Sequence, residues 1–94
     1  MKIVYLESFQ TRLNRQLSYI AHDSPVNARH FRDNLKKSIQ GIKQQPYSNR
    51  RSIFFDDANI RDLIYKGYTI VYRITSTNIE VFGFSKYQYN ATDD

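Results

Sequence analysis

Seven side chains in the second half of the chain could hold a partner: Arg50, Arg51, Arg61, Arg73, Lys86, Tyr87 and Tyr89. A guanidinium grips carboxylate or phosphate through paired N–H donors, and a tyrosine ring offers a rigid amphipathic contact. The set therefore suits a protein interface, or a ligand that carries phosphate and stacks. A plainer structural reading stands beside this one. Arg73 would pair across a sheet with Glu80, and Arg61 with a nearby Asp, because a charge inside a strand needs a partner. The remaining chemistry is thin. His22 and His30 have no companion ligands and read as surface or interhelical residues, so no metal is expected. Gly41, Gly67 and Gly83 are scattered and form no phosphate loop, and no cofactor is expected. Asp56 and Asp57 could be an acid pair, but adjacent turn residues more often form Asx turns.

The elements that position these residues are read from periodicity. Ile60–Tyr65, Tyr68–Ile74 and Ile79–Ser85 are rich in Ile, Val, Tyr and Phe, and are separated by Lys66-Gly67 and Thr75-Ser76-Thr77-Asn78. They predict three consecutive antiparallel strands. Tyr72 should pack within the sheet. Tyr87 and Tyr89 fall past the last strand, where contact with a partner is easier. Upstream, Lys2–Leu6 could be an edge strand. Phe9, Leu13, Leu17 and Ile20 then recur at helical spacing, with Ser8 as the expected N-cap and an end near Ala21–Asp23. Ser24-Pro25 restarts a helix, since Ser24 can cap free amides and Pro25 has no amide to satisfy. Ala28, Phe31, Leu35, Ile39 and Ile42 form its apolar stripe, and Pro46 stops it. So short a link predicts an antiparallel helical hairpin laid on one sheet face. Gln44–Ser52 reads as a loop carrying Arg50 and Arg51, Ile53–Phe55 as a short strand, Asp56–Asn59 as a turn, and the last residues, about 90–94, as a frayed tail.

Hairpin register decides which candidates share a face. A three-residue loop, Tyr65-Lys66-Gly67, pairs Ile64 with Tyr68 and Arg61 with Val71, and makes Arg61 and Arg73 diagonal neighbours on one face. A two-residue loop instead sets Arg61 opposite Tyr72 and separates the arginines. The first is favoured here, because Lys-Gly is a poor central pair for a primed turn.

Length and composition bound the rest. The 94 residues make one domain, and 40% hydrophobic content supports a folded core. The net charge of +5 favours an acidic partner, unless it serves only solubility. No cysteine is present, which excludes disulfides and thiolate metal sites and fits a cytoplasmic location. Neither a signal peptide nor a membrane span is visible.

The order of strand, helical hairpin and antiparallel strands, with Ile60-Arg61-Asp62-Leu63 and Gly67-Tyr68-Thr69-Ile70-Val71-Tyr72-Arg73-Ile74, resembles the RelE/ParE superfamily of toxins from bacterial type II toxin–antitoxin modules. Ser24-Pro25, Ala28, Phe31, Leu35, Ile39 and Pro46 resemble the helical hairpin of its ParE branch. The resemblance implies an α+β domain, an antiparallel sheet with an N-terminal helical hairpin packed on one face. It also implies a cytoplasmic toxin neutralised by a cognate antitoxin, acidic and partly disordered when free. RelE-like members cut mRNA on the ribosome, and ParE-like members block DNA gyrase. The positions where the ribonuclease branch carries basic residues correspond here to Ile60, Asp62, Ile64 and Thr69, and none is basic. Arg61-Asp62-Leu63 instead resembles the Arg-Glu-Leu pattern of the ParE branch, although Ser85-Lys86-Tyr87 departs from that branch's ending.

The resulting expectation is a ParE-like inhibitor of gyrase that is not an enzyme, with Arg50, Arg51, Arg61, Arg73, Lys86, Tyr87 and Tyr89 as target-binding candidates. The alternative is a RelE-like, metal-independent endoribonuclease using Arg61, Arg73, Lys86 and Tyr87, with Arg50 and Arg51 lining its cleft. Cleavage through a 2′-hydroxyl needs a base, an acid and a cation aimed at the phosphate, and a third group is not evident. A further reading is a degenerate member that binds its antitoxin and has lost toxicity.

Overall fold

The computed structural model describes residues 1–86. Strand β1 (Lys2–Tyr5) leads into helices α1 (Glu7–Asp23) and α2 (Pro25–Gln40). A short 3-10 turn (Gly41–Gln44) precedes β2 (Arg50–Arg51), β3 (Ile60–Tyr65), β4 (Tyr68–Ile74) and β5 (Asn78–Lys86). One five-stranded sheet has the order β1-β5-β4-β3-β2. It is antiparallel except at β1, which lies parallel to β5. The architecture is α+β, with the helical hairpin on one face. No helix among the described residues is long and apolar enough to cross a membrane.

The hairpin follows from its local signals. Ser24 accepts a hydrogen bond from the Asn27 amide at 3.1 Å, and Pro25 opens α2. Phe9 and Leu13 of α1 and Leu35 and Ile39 of α2 are buried against Ile70, Tyr72, Ile79 and Val81 of the sheet. Ser8 is not the cap of α1. The helix begins two residues earlier than that cap would place it, after Leu6, and the Ser8 hydroxyl donates to the Phe82 carbonyl at 2.7 Å, tying α1 to β5.

The β3–β4 connection is a two-residue turn, which overturns the expected three-residue loop. Lys66 and Gly67 both have positive φ, 46° and 83°, and Tyr65 stands opposite Tyr68. A primed turn matches the twist of its strands, and the packing enforces this register. Tyr65 and Tyr68 both meet the Phe31 ring edge-on, at 5.8 and 5.2 Å, whereas a one-residue slip would turn Tyr65 and Leu63 away from the helices. Arg61 therefore opposes Tyr72, and Arg73 lies on the other face.

A bulge in β5 settles a second question of parity. Val71 faces Gly83 and Tyr72 faces Val81, leaving Phe82 as the extra residue. The insertion lets Val81 and Phe84, an odd number of residues apart, both point into the core. Gly83 is required there, since an added Cβ would lie 2.9 Å from Val71 Cβ.

The segment after β2 also departs from expectation. Arg50 and Arg51 are a short edge strand rather than loop, and Ile53–Phe55 is not a strand. Residues 52–58 instead cross the sheet face opposite the helices. The Ser52 amide donates to the Ile60 carbonyl at 2.8 Å, and the Phe55 ring stands edge-on to Phe82 at 5.6 Å. With helices on one side and this cover on the other, β4 is buried on both faces. Asp57 and Asn59 close the expected Asx turn at 2.8 Å.

Candidate functional site

The structure disperses the basic residues singled out in the sequence. Arg61 shares the helix-facing side with Tyr72, at the margin of the sheet. Its guanidinium donates to three backbone carbonyls, those of Ala58 at 2.8 Å, Asn49 at 3.0 Å and Tyr47 at 3.2 Å, and lies 5.0 Å from the Tyr47 ring centre. It clamps the two loops flanking β2, and no Asp pairs with it among the described residues. Arg73 lies on the opposite face, bonded to Glu80 at 3.0 Å and placed over the Phe82 ring, as the plainer reading expected. Arg51 makes an exposed 3.6 Å contact with Asp56. Tyr87 and Tyr89 lie outside the described residues, as does the expected tail.

Arg50 is engaged with Asp62, whose side chain is fully enclosed. Asp62 Oδ2 accepts from Arg50 at 3.2–3.3 Å and from the Ile53 amide at 3.1 Å. This buried carboxylate secures the cover segment to β3. The side chain is not presented at the surface. Of the four positions where basic residues would mark the ribonuclease branch, Ile60, Asp62 and Thr69 are buried and only Ile64 is exposed.

Tyr72, fully buried, donates to the Pro46 carbonyl at 2.6 Å and accepts from Asn49 at 3.1 Å. Burial raises its pKa and nearby Asp62 adds to the rise, while the Asn49 bond and Arg61 oppose it. Tyr68 is raised by burial and by Tyr19. His22 and His30 are exposed on the helices, and no group of three or more acidic or His side chains able to hold a metal occurs among the described residues.

Lys86, at the end of β5 rather than beyond it, lines a cationic hollow that none of the other described candidates reaches. Arg12, Arg15 and Gln16 of α1 stand over Ser85 and Lys86, with Tyr68 and Phe84 beneath, around a hollow of about 160 Å³. The two rings stack at 5.1 Å. A second hollow of about 390 Å³ adjoins it through Arg12, lined by Ser8, Phe54, Phe55, Val71 and Phe82–Ser85. Sequence reasoning missed Arg12 and Arg15, whose spacing off the Phe9–Leu13–Leu17 stripe looks like any solvated helix face. It also missed Ile53, Phe54 and Phe55, which are 67%, 55% and 45% exposed.

The arrangement is that of a small α+β domain with a basic, aromatic surface around Arg12, Lys86, Phe54 and Phe55. Residues 3–86 match the family model described as the ParE toxin of type II toxin–antitoxin system, parDE. The chain belongs to that family, and membership implies a cognate antitoxin. No curated protein matches the chain.

Proposed function

We infer that the chain is a toxin that halts growth by binding a protein target, DNA gyrase, and that it does not cut RNA. The observation that carries this reading is the covered face of the sheet. Ile60, Asp62 and Thr69 stand where the resemblance would put a nuclease's phosphate-binding cations, and all three are buried, with Ile60 and Asp62 bonded to the segment 52–58. The remaining cations do not converge. Arg61 is spent on backbone carbonyls, Arg73 faces the other way against Glu80, and Lys86 lies at the far end of β5. Phosphodiester cleavage needs its acid, base and cation aimed at one point. Binding a protein needs only a few anchors of the arginine and aromatic kind, which the surface around Arg12, Lys86, Phe54 and Phe55 offers.

The test is a pair of assays on the purified chain. Gyrase supercoiling should be inhibited, and mRNA on programmed ribosomes should stay intact. Codon-positioned cleavage, lost on substitution of Lys86, would replace this reading with the ribonuclease one.

A further inference from the structure

Tyr68 carries a polar group that the fold does not use. The residue is only 9% exposed, and its ring is held on two sides, stacked on Phe84 at 5.1 Å and edge-on to Phe31 at 5.2 Å. The hydroxyls of Tyr5, Tyr47 and Tyr72 are hydrogen-bonded, and that of Tyr68 has no partner among the described residues. Burial and the neighbouring Tyr19 raise its pKa, so the phenol stays protonated and can donate. A nearly buried donor with no acceptor costs stability, unless a bound group supplies the acceptor.

The hollow of about 160 Å³ that Tyr68 lines is walled by further donors. Arg12, Arg15 and Gln16 come from α1, and Ser85 and Lys86 from β5. No carboxylate lines it, and among the described residues none pairs with Arg12, Arg15 or Lys86. Glu7 shares a neighbouring depression on α1 with the two arginines, where it weakens their field, but it does not line this hollow. Arg12, Arg15 and Gln16 follow the spacing of one helix face, and Tyr19 continues it one turn beyond Arg15. The Tyr19 ring is 71% exposed.

We propose that this hollow binds the phosphate group of a nucleotide, with the base laid on the Tyr19 ring. Arg12 and Arg15 take phosphate oxygens through paired N–H donors, Lys86 adds a point charge, and the Tyr68 hydroxyl supplies a neutral donor from a fixed ring. A phosphate monoester brings three acceptor oxygens and nearly two charges to these donors, where a carboxylate brings two oxygens and one charge. Tyr19 lies about 6 Å along the helix axis from Arg15, a span that suits a phosphate and its base, and stacking on a tyrosine accepts any base. The hollow holds no carboxylate or histidine to take a proton, so it grips phosphate without cutting it. Ile60, Asp62, Ile64 and Thr69, which would mark a nuclease, do not line it. The site goes beyond the gyrase reading and does not depend on it.

The experiment titrates adenosine 5′-monophosphate into the purified intact chain, read by calorimetry and by amide shifts of residues 12–19 and 84–86. Binding should weaken as salt is raised. Tyr68→Phe removes a hydroxyl that bonds nothing among the described residues, so it should melt like the parent and bind about fivefold more weakly. The double variant R12Q/R15Q, both positions exposed on α1, should also melt like the parent and lose at least about tenfold in affinity. Glu7→Gln should tighten binding, since it removes the one carboxylate beside those arginines. Tyr19→Ala should weaken binding of the nucleotide and leave that of inorganic phosphate unchanged. No binding at millimolar nucleotide, or binding that survives both Tyr68→Phe and R12Q/R15Q, would overturn the proposal. Inorganic phosphate held as tightly as the nucleotide, with no response to Tyr19→Ala, would overturn the nucleotide assignment. Succinate bound as well as either would overturn the site in favour of an unselective anion patch.

Discussion

Arg50 and Asp62 meet at a single oxygen: Nη2 and Nε of Arg50 lie 3.2 and 3.3 Å from Asp62 Oδ2, which also takes the Ile53 amide, while Oδ1 has no partner. One enclosed carboxylate thus joins β2, β3 and the cover segment. Removing Arg50 would leave that charge buried with only an amide to meet it. Arg50→Ala should cost about 2–4 kcal/mol, below the range for a fully buried pair because Arg50 is partly exposed. Urea unfolding measures this, and a loss under about 0.5 kcal/mol would show that the pair does not hold the segment.

Tyr72 links the sheet to the loop before β2, through Pro46 and Asn49. Tyr72→Phe should cost about 1–2 kcal/mol, since a buried carbonyl loses its donor. The pH dependence has a definite sign. Burial raises the folded pKa above the ordinary 10.0, so the unfolded phenol ionises first. The stability gained by keeping the phenol neutral is therefore complete below the unfolded value and is lost as pH rises past it. Unfolding midpoints should fall on the alkaline side of 10, less steeply in Tyr72→Phe, with a remaining slope from Tyr68, which is raised as well. An identical alkaline slope in the variant would contradict this.

Leu35 is completely enclosed between helix and sheet, and Leu35→Ala should cost about 2–5 kcal/mol. Phe31 lies on the same stripe but is only half-buried, its ring meeting Tyr65 and Tyr68 by the edges. Phe31→Ala should therefore cost less, about 1–3 kcal/mol. Thermal melts that ranked Phe31 above Leu35 would mean that α2 is rotated from the orientation described.

The two special glycines should respond differently to alanine. At Gly67, with φ 83° and open space around it, the cost is backbone strain of about 1 kcal/mol. At Gly83 the added methyl meets Val71 and forces the bulge to shift, at about 1–3 kcal/mol. Val71→Ala removes Cγ2, at 3.0 Å, but keeps the Cβ at 2.9 Å, so it should recover part of the Gly83→Ala loss and none of the Gly67→Ala loss. A double-mutant cycle would detect that coupling, and simple additivity at Gly83 and Val71 would refute the close approach.

Charge reversal separates a structural arginine from a contact lysine. Arg61→Glu would set a carboxylate against the Ala58, Asn49 and Tyr47 carbonyls, so its loss of toxicity should come with a lower melting temperature. Lys86→Glu alters an exposed strand end and should reduce growth inhibition with melting unchanged. A destabilised Lys86→Glu, or a fully stable Arg61→Glu, would reverse these assignments.

Local pattern determined much of this protein. The stripe from Ala28 to Ile42, the Ser24-Pro25 restart and the three β-branched and aromatic runs are written in spacings of two and 3.6, and they made the hairpin, β3, β4 and β5 legible as sequence. The order of those elements was enough to suggest the family. The surface was decided elsewhere. Whether Arg61 and Arg73 share a face depends on a one-residue choice at Lys66-Gly67, made by Tyr65 and Tyr68 packing on Phe31 from α2. Arg61 binds backbone carbonyls and Asp62 a backbone amide, and neither kind of partner leaves a trace in residue type. Arg12 and Arg15 lie about seventy positions from Lys86 and come beside it because α1 packs on β5 through Phe9 and Leu13, with Ser8 bonded to the Phe82 carbonyl at the bulge. Periodicity specifies which way a side chain points from its own element. What it points at is set by the register and curvature of the assembled sheet, which are long-range properties of the packed chain.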